Sequence, residues 1–329
     1  MGHAMLSRVA EGLFWLSRYI ERAETVARLL DAGRRLDTLP GSAETRAAEW
    51  GSIVIASGCS GSFPRPIAEA DGPSVAHHLI LDDDNPSSIR SCFRQARANA
   101  RAIRPEITSD VWDAVNDAWS GMKRVSAASV VGSDFAEFLD WTKTQGHRFR
   151  GAIDDTLLRT PGYDFIELGK FVERGDATAR LLDVKSHLIG IADESAVARD
   201  QLLWGQILMA AQALRAYRHV YRTEVTGDGV VHFLVLNPIL PRSLSHCVQK
   251  TVRHLGELRS GLGQTHRAHA LADRMQARLE TLTVRAILDQ GVHEFLTEFV
   301  TQNHRLALEI ASAYGFGGAT VASQSQSQG

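Results

Sequence analysis

Cysteine is scarce in this chain of 329 residues, with only Cys59, Cys92 and Cys247. The count is odd, the spacing is wide and no Cys-x-x-Cys pair occurs, which argues against a disulfide framework or a cysteine zinc site. No apolar run approaches the length of a membrane span. No charged start leads into an apolar stretch, as it would in a secretory signal. A cytoplasmic setting with no membrane partner is therefore expected. Net charge is missing as well: 36 Lys and Arg stand against 38 Asp and Glu. That balance lacks the basic footprint of a nucleic-acid-binding domain, so nucleic acid is not an expected partner. Gly-rich phosphate-binding loops are absent. So are the Glu-x-x-His pairs with which helical bundles hold metals. His77-His78, His266 with His269, and His293-Glu294 have no third ligand in view, and His266 and His269 read as surface residues. Neither a cofactor nor a metal is expected.

Helical periodicity dominates what is present. Hydrophobic residues make up 44% of the chain, enough for a sizeable core. From Leu6, apolar residues fall at Val9, Leu13, Leu16, Ile20, Ala23, Ala27 and Leu30, the three- and four-residue steps of a helix with one buried face. This helix should end near Leu36, before Pro40-Gly41. Further helices are expected over Ala43–Ile55, Val75–Leu81, Asn85–Ile103, Ser109–Val125, Ser133–Leu158, Asp164–Leu188 and Ala196–Tyr221. The last group covers Pro238–Ser260, Ala268–Asp289 and Gly291–Tyr314. Val230–Leu236 has strand-like composition but no partner strand, and reads as an extended connection. Met1–Ala4 reads as a remnant preceding a natural start at Met5, and 317–329 as a disordered tail of Gly, Ser and Gln.

An internal repeat organises these helices. Laying Leu13–Ala32 (LFWLSRYIERAETVARLLDA) over Phe165–Val184 (FIELGKFVERGDATARLLDV) gives eight identities in twenty positions, among them Glu21/Glu173, Arg22/Arg174, Arg28/Arg180 and Asp31/Asp183. The offset is 152, and Asn85-Pro86 falls over Asn237-Pro238 in the same register, with Arg90-Ser91 over Arg242-Ser243. In that register Cys92 falls over Leu244, which points to a core role for the thiol. The expected fold is all-α: one multi-helix bundle over 5–316, made of related halves at 5–157 and 158–316 around a pseudo-twofold axis.

On a helical wheel Glu21, Arg28 and Asp31 form a strip opposite the face of Leu16, Tyr19, Ala23, Val26 and Leu30. Glu173, Arg174, Arg180 and Asp183 repeat the layout. Such a strip is either a set of helical ion pairs, each contributing about 0.2–0.5 kcal/mol, or the lining of a polar cleft or interface. Its retention in both halves favours the second. Asn85 and Asn237 read as helix N-caps. Arg90 and Arg242, one turn inside each helix, would complete an anion site with the free N–H groups. Arg94, Arg97, Arg101 and Arg104 extend a basic stripe in the first half, read as a solvated face.

At Tyr19-Ile20-Glu21-Arg22-Ala23-Glu24 and Phe171-Val172-Glu173-Arg174-Gly175-Asp176 the chain resembles the bacterial Alpha-E family, an α-helical group named for its Glu-Arg motif. The likeness runs from LSRVAEGLFWLSRYIERAE through DNPSSIRSCFRQARANARAIRPEI to GYDFIELGKFVERGDATARLLD; Pro241 in the second Asn-Pro segment departs from the pattern. The resemblance implies partnership with a circularly permuted ATP-grasp protein and with a transglutaminase-like protein, and hence peptide or amide-bond synthesis or modification. The leading expectation is an accessory component that binds a partner protein or a peptide through Glu21, Arg22, Arg28, Glu173, Arg174 and Arg180. One alternative is an enzyme with Glu21 or Glu173 as general base; another is a dimerisation module.

Overall fold

In the computed structural model, which describes residues 2–185 and 196–317, every regular element is helical. The α-helices are α1 (Gly2–Leu36), α2 (Ala43–Ala56), α3 (Gly72–Ile80), α4 (Ile89–Ala102), α5 (Ser109–Met122), α6 (Asp134–Thr156) and α7 (Pro161–Asp183). They continue as α8 (Ala196–Ala210), α9 (Leu214–Tyr221), α10 (Gly227–Val231), α11 (Leu244–Leu262), α12 (Arg267–Thr281), α13 (Val284–Gln290) and α14 (Val292–Ala313). Residues 318–329 of the expected tail and 186–188 of the expected Asp164–Leu188 helix lie outside the described residues.

Two helices run through the middle. Every residue of α1 from Gly12 to Leu30 is buried except Thr25, and every residue of α7 from Asp164 to Ala179 except Lys170. They pack chiefly on each other. Phe14 abuts Gly169, Arg22 meets Glu173, and Leu29 shares a small cavity with Leu181. The partner numbers advance together, so the two helices run parallel. Each has a large antiparallel companion, α4 on α1 and α11 on α7; Asp164 contacts His254 while Thr178 contacts Arg242. Around these four, α6 and α8 pack on α1, α14 packs on α7, and α5 and α12 cover α4 and α11.

Local chemistry sets most boundaries. Ser42, Thr108 and Ser243 cap α2, α5 and α11 through their hydroxyls. Gly263, at φ 68°, ends α11 in the left-handed conformation that glycine adopts without strain. Three expectations are corrected. Val230–Leu236 is not an extended connection but the end of α10 and a π-helical turn. Val230, Val231, Phe233, Leu234 and Val235 are all buried there, and packing overrides their strand propensity. The helix expected over Ala196–Tyr221 breaks at Gln212, whose φ is 55°. The one expected over Ala268–Asp289 breaks where Thr283 caps α13.

The central pair approach tightly at Gly169, where a Cβ would lie 2.3 Å from the Phe14 carbonyl oxygen. That neighbour is helix backbone and cannot turn aside. Gly169→Ala should therefore destabilise the fold by about 1–3 kcal/mol. Gly256→Ala, where a Cβ meets nothing within 4 Å, should stabilise it by roughly 0.5–1 kcal/mol. Urea unfolding of the two variants checks the pair of opposite signs.

Candidate functional site: the Glu–Arg joint

The charged strips of α1 and α7 face each other. Arg22 donates to Glu173 through Nε (2.7 Å) and Nη2 (3.1 Å). Arg174 donates in the same bidentate manner to Glu21, at 2.8 and 2.9 Å. The exchange is reciprocal: each helix supplies the arginine to the other's glutamate. Arg18 adds a bond to Glu173 at 2.7 Å. Glu24 lies one turn beyond Glu21 and accepts from Arg28 on its own helix. Arg150 of α6 reaches both Glu21 (3.1 Å) and Glu24 (2.7 Å). Arg242, from the segment before α11, does the same at 3.1 and 2.7 Å. Arg28 also donates to the Ala210 carbonyl at the end of α8.

These groups are removed from water: Glu21 is 2% exposed and Glu24 1%. Burial pushes the Glu21 carboxyl upward, yet Arg174, Arg242 and Arg150 hold it well below the ordinary carboxylate range. Burial raises Glu173 too, and Arg22 and Arg18 bring it down to about 2. Against burial and the neighbouring Glu21, Arg242, Arg28 and Arg150 hold Glu24 at about 2. Six arginines thus surround three carboxylates among the described residues. Arg242 feels that excess: burial first, then repulsion from Arg28 and Arg174, lowers it to about 10. Carboxylates so held are anions throughout the neutral range and poor proton acceptors there. The cluster's chemistry is to bind two helices face to face.

A family model described as a predicted alpha-helical domain with a conserved ER motif matches residues 5–314. The chain belongs to the Alpha-E family. Its Glu-Arg motif is the joint between α1 and α7. Similar proteins include uncharacterized proteins of Mycobacterium bovis and of Mycobacterium tuberculosis strain CDC 1551, each 25% identical over 292 residues, which is 83% of this chain and 32% of the relative. An uncharacterized protein of M. tuberculosis strain H37Rv is 24% identical over the same length. The Alpha-E chain thus spans about a third of the length of the curated relatives it matches. No solved structure matches it.

Of the residues singled out in the sequence, Glu21, Arg22, Arg28, Glu173, Arg174 and Arg242 meet in the joint or on its edge. Arg180 pairs with Asp176 beside it. Asp31 is drawn off to Arg34, Arg35 and Lys143, and Asp183 to His293. The Asn-Pro reading is corrected. Ser88 and Ser243 cap α4 and α11. Asn85 instead bonds the Ser87 amide and the His78 carbonyl, and Asn237 accepts from the amides of Ile239 and Leu240. Arg90 donates to the Leu81 and Val125 carbonyls, and Arg242 precedes its helix, so neither forms the expected anion site with free helix amides.

The caps lie 155 residues apart rather than 152, because three more residues separate Asn237 from Ser243 than Asn85 from Ser88. Cys92 therefore corresponds to Cys247, not to Leu244. Both thiols are buried, and burial pushes each up to about 12. His269 is buried, bonded to the Leu255 carbonyl, rather than on the surface. The basic stripe is partly engaged: Arg94 pairs with Asp83, and Arg97 bonds Asn116. Glu24 could have been found from its four-residue spacing to Arg28. Arg150 carries no local signal, since its partners lie more than a hundred residues away.

Because Glu24 and Glu173 titrate lower folded than unfolded, their stabilisation is complete above the ordinary carboxylate value of 4.5 and is lost as pH falls from there toward about 2. Melting temperature should hold from neutrality to about pH 5 and then fall. The fall should be shallower in Glu173→Gln, which lacks one of the joint's depressed carboxylate titrations. Melts across that range check both the direction and the difference.

Proposed function

We propose that this Alpha-E chain is a non-catalytic, accessory helical component of a bacterial ATP-grasp-linked system for peptide or amide-bond synthesis or modification, with its Glu-Arg helices as internal scaffold. The observation that carries the non-catalytic half is the saturation of Glu21 and Glu173 by arginines, which leaves neither carboxylate poised as a general base. Partner and peptide contacts then fall to surfaces away from the joint. The partnership with a circularly permuted ATP-grasp protein, and with a transglutaminase-like protein, rests on the family resemblance. The much greater length of the mycobacterial relatives is in keeping with a module that works beside other domains.

We further infer that the halves descend from one duplicated unit. The reciprocal Arg22–Glu173 and Arg174–Glu21 pairs support this, as does the placing of Cys92 and Cys247 four residues after their serine caps.

Size-exclusion chromatography of the full chain mixed with the circularly permuted ATP-grasp protein of the same organism tests the proposal. A common peak is expected, together with a change in the ATP-hydrolysis rate of the ATP-grasp protein. Separate elution with an unchanged rate would contradict it.

A further inference from the structure

A second cluster of titratable groups lies away from the joint, between the first turns of α7 and the middle of α11, lining an open cleft of about 360 Å³. Its floor holds Asp164 and Glu167, both buried. His254 of α11 stands over them, with Nδ1 2.8 Å from Asp164 Oδ1 and Nε2 3.8 Å from Glu167 Oε2. Lys170 takes the other Glu167 oxygen at 2.6 Å. Asp164 Oδ2 and Glu167 Oε2 receive no hydrogen bond from the described residues. Tyr163 and Phe171 flank the imidazole, with ring centroids 5.9 and 6.2 Å away. Lys250, half-buried, and Arg253, exposed, line the cleft from α11. Arg159, stacked on Tyr163 at 3.9 Å, adds a third cation, and Glu257 adds an exposed carboxylate.

The fold does not demand this arrangement. The corresponding positions of the first half hold Gly12, Trp15 and Asn99, at offsets of 152 for α7 and 155 for α11. The α1–α4 contact is built without them. The two carboxylate oxygens that no described side chain bonds face the open cleft, where a ligand's donor can take the place of water. A simple anion would meet the floor carboxylates. A simple cation would pass Lys250 and Arg253. A ligand with both charges satisfies both ends, and aromatic walls suit its cationic end.

We propose that this cleft binds a small zwitterion, a free α-amino acid or a dipeptide, with its ammonium between Asp164 and Glu167 and its carboxylate on Lys250 and Arg253. His254 is a positioning residue: bonded to Asp164 and packed between the two rings, it fixes the floor. The site stands whether or not the chain has a protein partner.

Saturation-transfer NMR on the full chain tests it. The first sample contains an equimolar mixture of the proteinogenic amino acids and the second a series of alanyl dipeptides. Each is repeated with N-acetylated and C-amidated forms. Transfer to free forms of one set is expected, and which set responds identifies the source. Blocking either end should weaken binding at least about tenfold, as should Arg253→Ala and Glu167→Gln, since each removes a charge-assisted contact. Transfer to neither set, or transfer indifferent to blocking, overturns the proposal. Should Glu167→Gln fail to fold, the exposed Arg253→Ala decides: undiminished binding in that variant is equally fatal.

Discussion

The structure depends on one exchange of charge. Arg22 clasps Glu173 and Arg174 clasps Glu21 where α1 and α7 run side by side through the middle of the molecule. Taking charges out of water is expensive, and attraction repays it only when geometry is good and the remaining hydrogen-bonding capacity is filled. Here the pairs are bidentate, and Arg18, Arg150 and Arg242 fill the outer oxygens. The registry of two long helices follows. A slide by a turn would separate both bidentate pairs, strand four buried charges and drive a residue larger than Gly169 against the Phe14 carbonyl. The remaining helices are arranged around a pair whose alignment is already set.

The all-helical class was legible in the sequence because apolar spacing and caps act locally. The importance of Glu21, Arg22, Glu173 and Arg174 was legible too, as identities between two otherwise divergent segments. Their role was not. A wheel set Glu21 and Arg28 opposite the apolar face, and such a strip ordinarily meets solvent or a ligand. It meets α7, α6 and the segment before α11 instead, because α1 is enclosed on all sides, a fact of tertiary packing. The same limit explains Val230–Leu236, whose branched residues turn helical once buried, and Arg150, whose partners are distant in sequence. The Asn-Pro segments misled for a different reason: each Asn makes a turn before its helix, and the serines that follow form the caps.

The two clusters on α7 use charge in contrasting ways. In the joint, arginines outnumber carboxylates and every glutamate is held in its anionic form, so proton exchange near neutrality is suppressed and the bonding is static. At the start of the same helix, Asp164 and Glu167 each have an oxygen that no donor among the described residues reaches, and they open onto a cleft also lined by Lys250 and Arg253. In this Alpha-E chain the Glu-Arg motif is therefore part of what holds the molecule together.

The most direct test of this account is a double-mutant cycle on Glu21→Gln and Arg174→Met, with unfolding free energy measured in urea. Each single substitution should destabilise the chain by about 3–5 kcal/mol, since it leaves a buried charge without its bidentate partner. The double variant should lose less than the sum of the two, with a coupling of about 1 kcal/mol or more. Single variants as stable as the parent, or effects that simply add, would show that α1 and α7 are aligned by something else.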